Sequence, residues 1–294
     1  MIIVAIEGGL GNQMFEYAFY LSLREVYGSE QVKVDLHFVN SNMHNGYELQ
    51  RVFGLCPPQG TIFELIKNSD YFPQNNIPAK MIEKLFLIRR RIRGRSENCI
   101  VQGDATKYLK ICYTLDKQQN YFLKGVWANA KYFMPIASIV RKTYTFPEIV
   151  DDTNHKWKKL IQETTSVSIH FRGGDYYQGG FQVLSQPYYR KAMEYVEKSE
   201  KAPVYFVFTD DVEHAREALG EVKCNCYFVD NNSGENSYRD MQLMSLCKHN
   251  IIANSTFSFW GAFLNENPSK IVVAPRITAG ICEEPYQLED WILI

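Results

Sequence analysis

In the second half of the chain, short apolar runs alternate with stretches of helical periodicity. Strands are predicted at Val167–Ile169, Val204–Phe208, Tyr227–Val229, Asn250–Ile252 and Ile271–Val273, each short and rich in β-branched or aromatic residues. Between them, apolar residues three and four apart predict helices over Tyr188–Ser199, Val212–Leu219, Tyr238–Cys247 and Phe257–Asn265. Such alternation implies right-handed crossovers and a parallel sheet. The first half begins in the same way. Ile2–Ile6 reads as a strand, Glu7-Gly8-Gly9-Leu10-Gly11-Asn12-Gln13 as a turn, and Met14, Tyr17, Ala18 and Leu21 as one face of a helix. Further strands are predicted at Val32–Leu36 and from Phe122 towards Trp127, while residues 55–100 lean helical. A break near Pro147–Asn154 gives an α/β domain at 1–150 and a Rossmann-like one at 151–294.

The residues that close these strands carry the chemistry. His170-Phe171-Arg172-Gly173-Gly174-Asp175 follows the strand at Val167–Ile169. Ligands of open α/β sheets bind outside the carboxyl ends of the strands. Glycines let the backbone leave such a strand sharply, and a guanidinium offers a planar fork for phosphate oxygens. Arg172 is therefore a phosphate candidate; a surface turn with an Arg172–Asp175 ion pair is the plainer alternative. Asn254-Ser255-Thr256-Phe257-Ser258 opens a helix. Free amides and hydroxyls there can cradle phosphate without a lysine, and ordinary N-capping leaves the same signature. Asp210, in Thr209-Asp210-Asp211, is placed to accept from a purine base or to cap the next helix. In the first half, Gly9 and Gly11 lack the third glycine of a dinucleotide fingerprint, and no Gly-Lys-Ser/Thr makes a P-loop. Asn12 and Gln13 suit a hydroxyl-rich ligand there.

Composition removes several alternatives. A net charge of −1 disfavours nucleic acid as a partner. The 7 cysteines are scattered, with Cys224-Asn225-Cys226 the only close pair, so reduced thiols are expected rather than a zinc site. There is no D-x-D and no H-E-x-x-H, so no metal is expected. No run of ~18 apolar residues spans a membrane, and the start of the chain lacks a basic signal-peptide region. The expected location is cytoplasmic. Arg89, Arg90, Arg91, Arg93 and Arg95 follow Ile82, Leu85, Phe86 and Ile88 at helical spacing. That pattern describes either peripheral contact with the inner face of a membrane or a solvated helix end with cations near its C-terminus.

Taken in order, five blocks resemble the bacterial α-1,2-fucosyltransferases of glycosyltransferase family 11. They are Gly8-Gly9-Leu10-Gly11-Asn12-Gln13-Met14-Phe15, Gly125-Val126-Trp127 through Phe133, His170 through Tyr176, Phe208-Thr209-Asp210-Asp211, and Asn254 through Ala262. Asp240-Met241-Gln242-Leu243-Met244-Ser245 resembles a further block. The resemblance implies a GT-B fold, two Rossmann-like domains facing across a cleft. GDP-fucose would bind to the C-terminal domain, and the N-terminal domain would present an acceptor, a galactose-terminated oligosaccharide that a lipid can carry. L-Fucose would pass to the 2-hydroxyl of a terminal β-galactoside with inversion and without a metal, in cell-surface polysaccharide or O-antigen synthesis.

Roles follow from that resemblance together with the chemistry. Arg172 would stabilise the departing β-phosphate, because preorganised charge aimed at developing charge is usually the largest catalytic term. Asp175 would orient the arginine loop. Ser255, Thr256 and the Phe257 amide would hold the pyrophosphate beside Asn254, Asp210 would contact guanine, and His170 would position the nucleotide. Gly9, Asn12 and Gln13 would face sugar and acceptor, and Trp127 would stack on a sugar ring or serve as a core aromatic. Two departures stand out. The family shows two adjacent arginines where this chain has Arg172 and Gly173, and glutamine where it has Ala128. A non-catalytic nucleotide-sugar or glycan-binding protein of the same fold is the alternative. For a general base, Asp175, Glu7, His44 and Glu48 are candidates that sequence does not rank.

Overall fold

The computed structural model describes residues 1–39, 44–70, 84–88, 91–92, 94, 96–174, 182–220, 222, 225–276 and 287–294. Asp175, Arg89, Arg90, Arg93 and Arg95 lie outside the described residues; Arg91 is exposed. The chain forms two compact units, Met1–Thr143 and Tyr144–Ile294.

The first unit is built on a parallel sheet of order β2-β1-β4-β3, comprising β1 (Ile2–Ala5), β2 (Val32–Asp35), β3 (Cys99–Val101) and β4 (Tyr121–Lys124). Val4 pairs with Val34 on one side and Leu123 on the other. All four residues of β1 are buried, which is why it reads as an unbroken apolar run. The helix α1 (Leu10–Tyr27) follows at once and stops at Gly28, whose φ of 95 suits glycine at a helix end. Shorter helices α2 (Glu48–Phe53), α3 (Ile62–Asn68) and α4 (Ala137–Thr143) complete the unit.

The second unit carries a parallel sheet of order β10-β9-β8-β5-β6-β7. Its strands are β5 (Ser166–Phe171), β6 (Val204–Thr209), β7 (Cys226–Val229), β8 (His249–Ile251), β9 (Val272–Ala274) and β10 (Ile292–Leu293). Its helices are α5 (Asp152–Glu163), α6 (Gln186–Ser199), α7 (Val212–Leu219), α8 (Tyr238–Leu246) and α9 (Thr256–Leu264). Successive residues of β6 serve opposite faces, as the period of a strand requires. Tyr205 and Val207 join Tyr189, Met193 and Ala215 in one core, whereas Phe206 and Phe208 join Ile161, Leu243 and Met244 in the other. Helices therefore cover both faces of the sheet. Arg239 on α8 donates to the carbonyls of Pro147 and Glu148, which ties this proline segment to the second unit. Among the described residues no helix is long and apolar enough to cross a membrane.

Candidate active site

Strand register sets the first contact. β5 pairs His170 with Phe208 and Phe171 with Thr209, so Arg172 and Asp210 emerge side by side one step further on. Arg172 Nη1 lies 3.0 Å from Asp210 Oδ2, and the Gly173 amide donates to Asp210 Oδ1 at 3.0 Å. A Cβ on Gly174 would stand 2.6 Å from Asp210 Oδ2, so only glycine lets the carboxylate close on this loop. Asp210 thus clasps the arginine loop. Arg172 and Asp210 remain 31% and 30% exposed, open to a ligand from the strand ends.

His170 stands beside them and is 4% exposed. Burial, with a smaller contribution from the Arg172 charge, pushes its pKa down to about 3, so the imidazole is neutral. Its Nδ1 has no hydrogen-bond partner among the described residues. A buried polar atom left unpaired costs stability and suits a ligand that can satisfy it. The ring sits 5.7 Å from that of Phe257, at the start of α9.

Ser255 caps α9 by accepting from the Phe257 amide at 3.3 Å, and the Ser258 hydroxyl turns back to the Ala253 and Ser255 carbonyls. Asn254 donates to the Gln182 carbonyl at 2.8 Å. Thr256 and Phe257 are half-buried, and the first turn holds no acidic residue. A helix N-terminus whose own first turn carries no acid is an arrangement that favours an anion. Arg172, His170 and Asp210 are brought together on neighbouring strands, with Phe257 against His170.

A network that sequence did not single out lies past the end of β7. Asn232 donates to Asp240 at 2.7 Å and exchanges amide hydrogen bonds with Asn154, which also receives Asn231. Burial raises the Asp240 carboxyl to about 7, opposed by the Asn232 hydrogen bond and reinforced by Asp230. The signal available was Asp230-Asn231-Asn232 at a predicted strand end; what hid it was that its partners lie far along the chain.

In the first unit a strand, a glycine turn and a helix serve a different end. Glu48 Oε1 accepts from the Leu10 amide at 3.0 Å, while Oε2 receives Arg51 at 2.9 Å and Asn45 at 3.3 Å. The N-terminus of α1 is thus already held by a carboxylate of the chain itself. Gln13 is fully buried; it donates to the Gly8 and Gly46 carbonyls and accepts from the Glu48 amide. It is a structural tie, not a ligand contact. Gly8, at φ +75, leaves no room for a Cβ against Asn12, and a Cβ on Gly9 would stand 3.2 Å from His44 Nδ1. Asn12 is half-buried, so it alone of the predicted Asn12–Gln13 pair reaches solvent.

Trp127 is 0% exposed, stacked on Phe19 at 4.4 Å and edge-on to Tyr132 at 5.6 Å. It is placed as a core aromatic, the second of the two roles the sequence offered. Glu7 pairs with Lys124, and its amide donates to Glu16 Oε2 at 2.8 Å. Glu16 is wholly buried, which raises its pKa well above the carboxylate range. Among the described residues, no group of three histidine, cysteine or acidic side chains could hold a metal ion.

Each unit is thus a parallel α/β sheet, and the second sets Arg172, His170 and Asp210 together at neighbouring strand ends. Residues 97–294 match the profile of Glycosyl transferase family 11, and the chain belongs to that family. It is 32% identical to the O-antigen biosynthesis glycosyltransferase WbnK of Escherichia coli, over 98% of both chains. It is 28% identical to an alpha-1,2-colitosyltransferase of Escherichia coli, over 94% of this chain and 91% of that one. A 105-residue stretch, 34% of this chain and 29% of the relative, is 33% identical to galactoside alpha-(1,2)-fucosyltransferase 1 of Leontocebus fuscicollis. Among solved structures, the apo form of POFUT1 superposes with a TM-score of 0.51 at 12% identity, over 93% of this chain and 97% of that one, a likeness of fold. The chain thus has the α/β, GT-B type of architecture.

Proposed function

We propose that this family 11 enzyme transfers L-fucose from GDP-fucose to the 2-hydroxyl of a terminal β-galactoside, with inversion and without a metal, in cell-surface polysaccharide or O-antigen synthesis. The observation that carries the reading is Arg172 at the carboxyl end of β5, with a helix on the neighbouring strand's exit whose first turn holds no acidic residue. Loss of GDP places negative charge on the β-phosphate as the sugar becomes oxocarbenium-like. Arg172 and the Thr256–Phe257 end of α9 supply positive potential before that charge appears, which is the economical way to stabilise it. His170, neutral and buried, offers a polar atom to the bound nucleotide without adding a second cation. Asp210 holds Arg172 in place until a phosphate competes for it.

A second donor is favoured by one observation. An alpha-1,2-colitosyltransferase is similar over nearly the whole chain, and Gly173 departs from the fucosyltransferase pattern. Both donors share the GDP that Arg172 would engage, so the sugar is read elsewhere. The test is incubation with GDP-fucose or GDP-colitose, a panel of β-galactosides and excess EDTA, with linkage analysis of any product. A 2-linked fucosyl product formed despite chelator supports the reading. A product only from the colitosyl donor moves the donor, and GDP binding without transfer to any acceptor favours a binding protein.

A further inference from the structure

Between α3 and β3 the chain makes an excursion whose base is tied. α3 ends where the Ser69 amide donates to the Leu65 carbonyl at 2.8 Å, and the Leu65 side chain lies in the first unit's core. The next residue, Asp70, is buried and accepts from the Ser96 amide at 2.8 Å. The Ser96 carbonyl in turn accepts from Cys99, the first residue of β3, at 2.9 Å. The chain thus leaves the sheet at Asp70 and returns at Ser96 through one hydrogen bond.

Within this excursion residues 84–88 and 91–92 are helical. Leu85, Ile88 and Ile92 stand at i, i+3 and i+7, the spacing of one helix face, and are 64%, 51% and 77% exposed. Phe86 is half-buried. Single exposed leucines are ordinary, but a row of them at helical spacing is apolar area that asks for a cover. Charge identifies the occupant. Residues 84–95 carry Lys84, Arg89, Arg90, Arg91, Arg93 and Arg95 and no acid, in a chain whose net charge is −1. Arg91 is exposed next to Ile92. A solvated helix end accounts for the cations but not for the apolar row. A second copy of the chain would cover the row, yet across a two-fold contact it would set these cations against their own kind. A nucleic acid would meet the cations and leave the leucine and the isoleucines in water.

We propose that this segment docks the protein on an anionic phospholipid bilayer. Leu85, Ile88 and Ile92 enter the boundary between headgroups and acyl chains, and the basic residues meet lipid phosphates. A cluster of ~4–8 basic residues on an amphipathic helix is the composition that anionic lipid selects. Charge draws the segment to the surface, and the apolar row holds it there. The contact lies wholly within the first unit and is independent of the transferase reading.

The test is sedimentation of the full chain with vesicles of phosphatidylethanolamine and phosphatidylglycerol, and with vesicles in which phosphatidylcholine replaces the phosphatidylglycerol. Wild type should pellet with the first and stay in solution with the second. Binding should weaken as salt rises, because screening shortens the reach of charge from about 10 Å at about 0.1 M to about 3 Å at about 1 M. Leu85→Ser, Ile88→Ser and Ile92→Ser combined should lower the partition constant by ~10²-fold or more. Arg91→Gln alone should lower it about 5-fold. These four positions are exposed, so urea unfolding of both variants should match wild type. Wild type that binds neither vesicle, binds both equally, or keeps its anionic binding in the serine variant overturns the proposal. So does a lipid-free dimer that the serine variant dissociates, which would give the face to a second copy. Binding of a DNA duplex that displaces the vesicles and survives the serine substitutions would give the cations to nucleic acid and overturn it equally.

Discussion

The two units solve one structural problem in opposite ways. Each has a parallel strand followed by a helix whose first amides lack partners within the helix. In the first unit the chain supplies the missing acceptor, because Glu48 receives the Leu10 amide and Gln13 ties the turn to Gly46. In the second, the Ser255 hydroxyl caps α9, the first turn carries no acidic residue, and a cation stands at the adjacent strand end. A glycine-rich strand end is therefore not by itself an anion site. The two ends differ in the groups that meet them, the Glu48 carboxylate at α1 and the Ser255 hydroxyl at α9.

The largest test of this contrast is Arg172→Ala. If Arg172 stabilises the leaving phosphate, turnover should drop by ~10²–10³ or more in a folded protein. Asp210→Asn, which loosens the clasp without removing the cation, should cost roughly 10-fold to 100-fold through misplacement of the guanidinium. Single-turnover release of GDP measures both. Equal activity of Arg172→Ala and wild type would remove the charge argument from the second unit.

The first unit should respond in stability rather than in chemistry. Gln13→Ala leaves the Glu48 amide and the Gly8 and Gly46 carbonyls without their partner. Urea unfolding should show a loss of ~2–4 kcal/mol, given the cost of several buried polar groups left unpaired. Turnover of the remaining folded protein should be close to that of wild type. A large fall in turnover with unchanged stability would mean that Gln13 touches substrate and that the contrast between the units is wrong.

The second unit was legible because its signals are local and periodic. Five strands and four helices predicted there lie within two residues of those observed, each a buried run or an amphipathic stretch. β3 and β10 escaped because three or two residues carry no measurable period. Arg172 and His170 were legible as a pair at a strand end. The role of Asp210 was not, since register, and not sequence spacing, puts its carboxylate against Gly173 and Gly174. Gln13 and Trp127, both buried, were ambiguous in sequence for a shared reason: a side chain able to bind sugar is equally able to satisfy or fill a core. Glu48, 38 residues from the amide it caps, gave no local sign of that role.

The smallest effect, and the one that isolates His170, is in pH dependence. In the folded chain its pKa is pushed down to about 3 from 6.5, burial being the main cause. Below 6.5 the unfolded chain takes up a proton that the folded chain refuses, so stability falls as pH drops from 6.5 towards 3. By pH 5 the loss from this group alone is ~2 kcal/mol. Asp240 acts with the opposite sign: raised from 3.8 to about 7, it holds a proton that the unfolded chain has released, and its contribution is lost as pH rises through that window. Urea unfolding of wild type, His170→Gln and Asp240→Asn at pH 5 and pH 7 separates the two. Relative to wild type, His170→Gln should lose ~2 kcal/mol less on going from pH 7 to pH 5, and Asp240→Asn should gain less over the same change by a similar amount. A His170→Gln curve parallel to wild type would mean that the imidazole is not held neutral in the folded chain, and the place of His170 beside Arg172 would then need a different account.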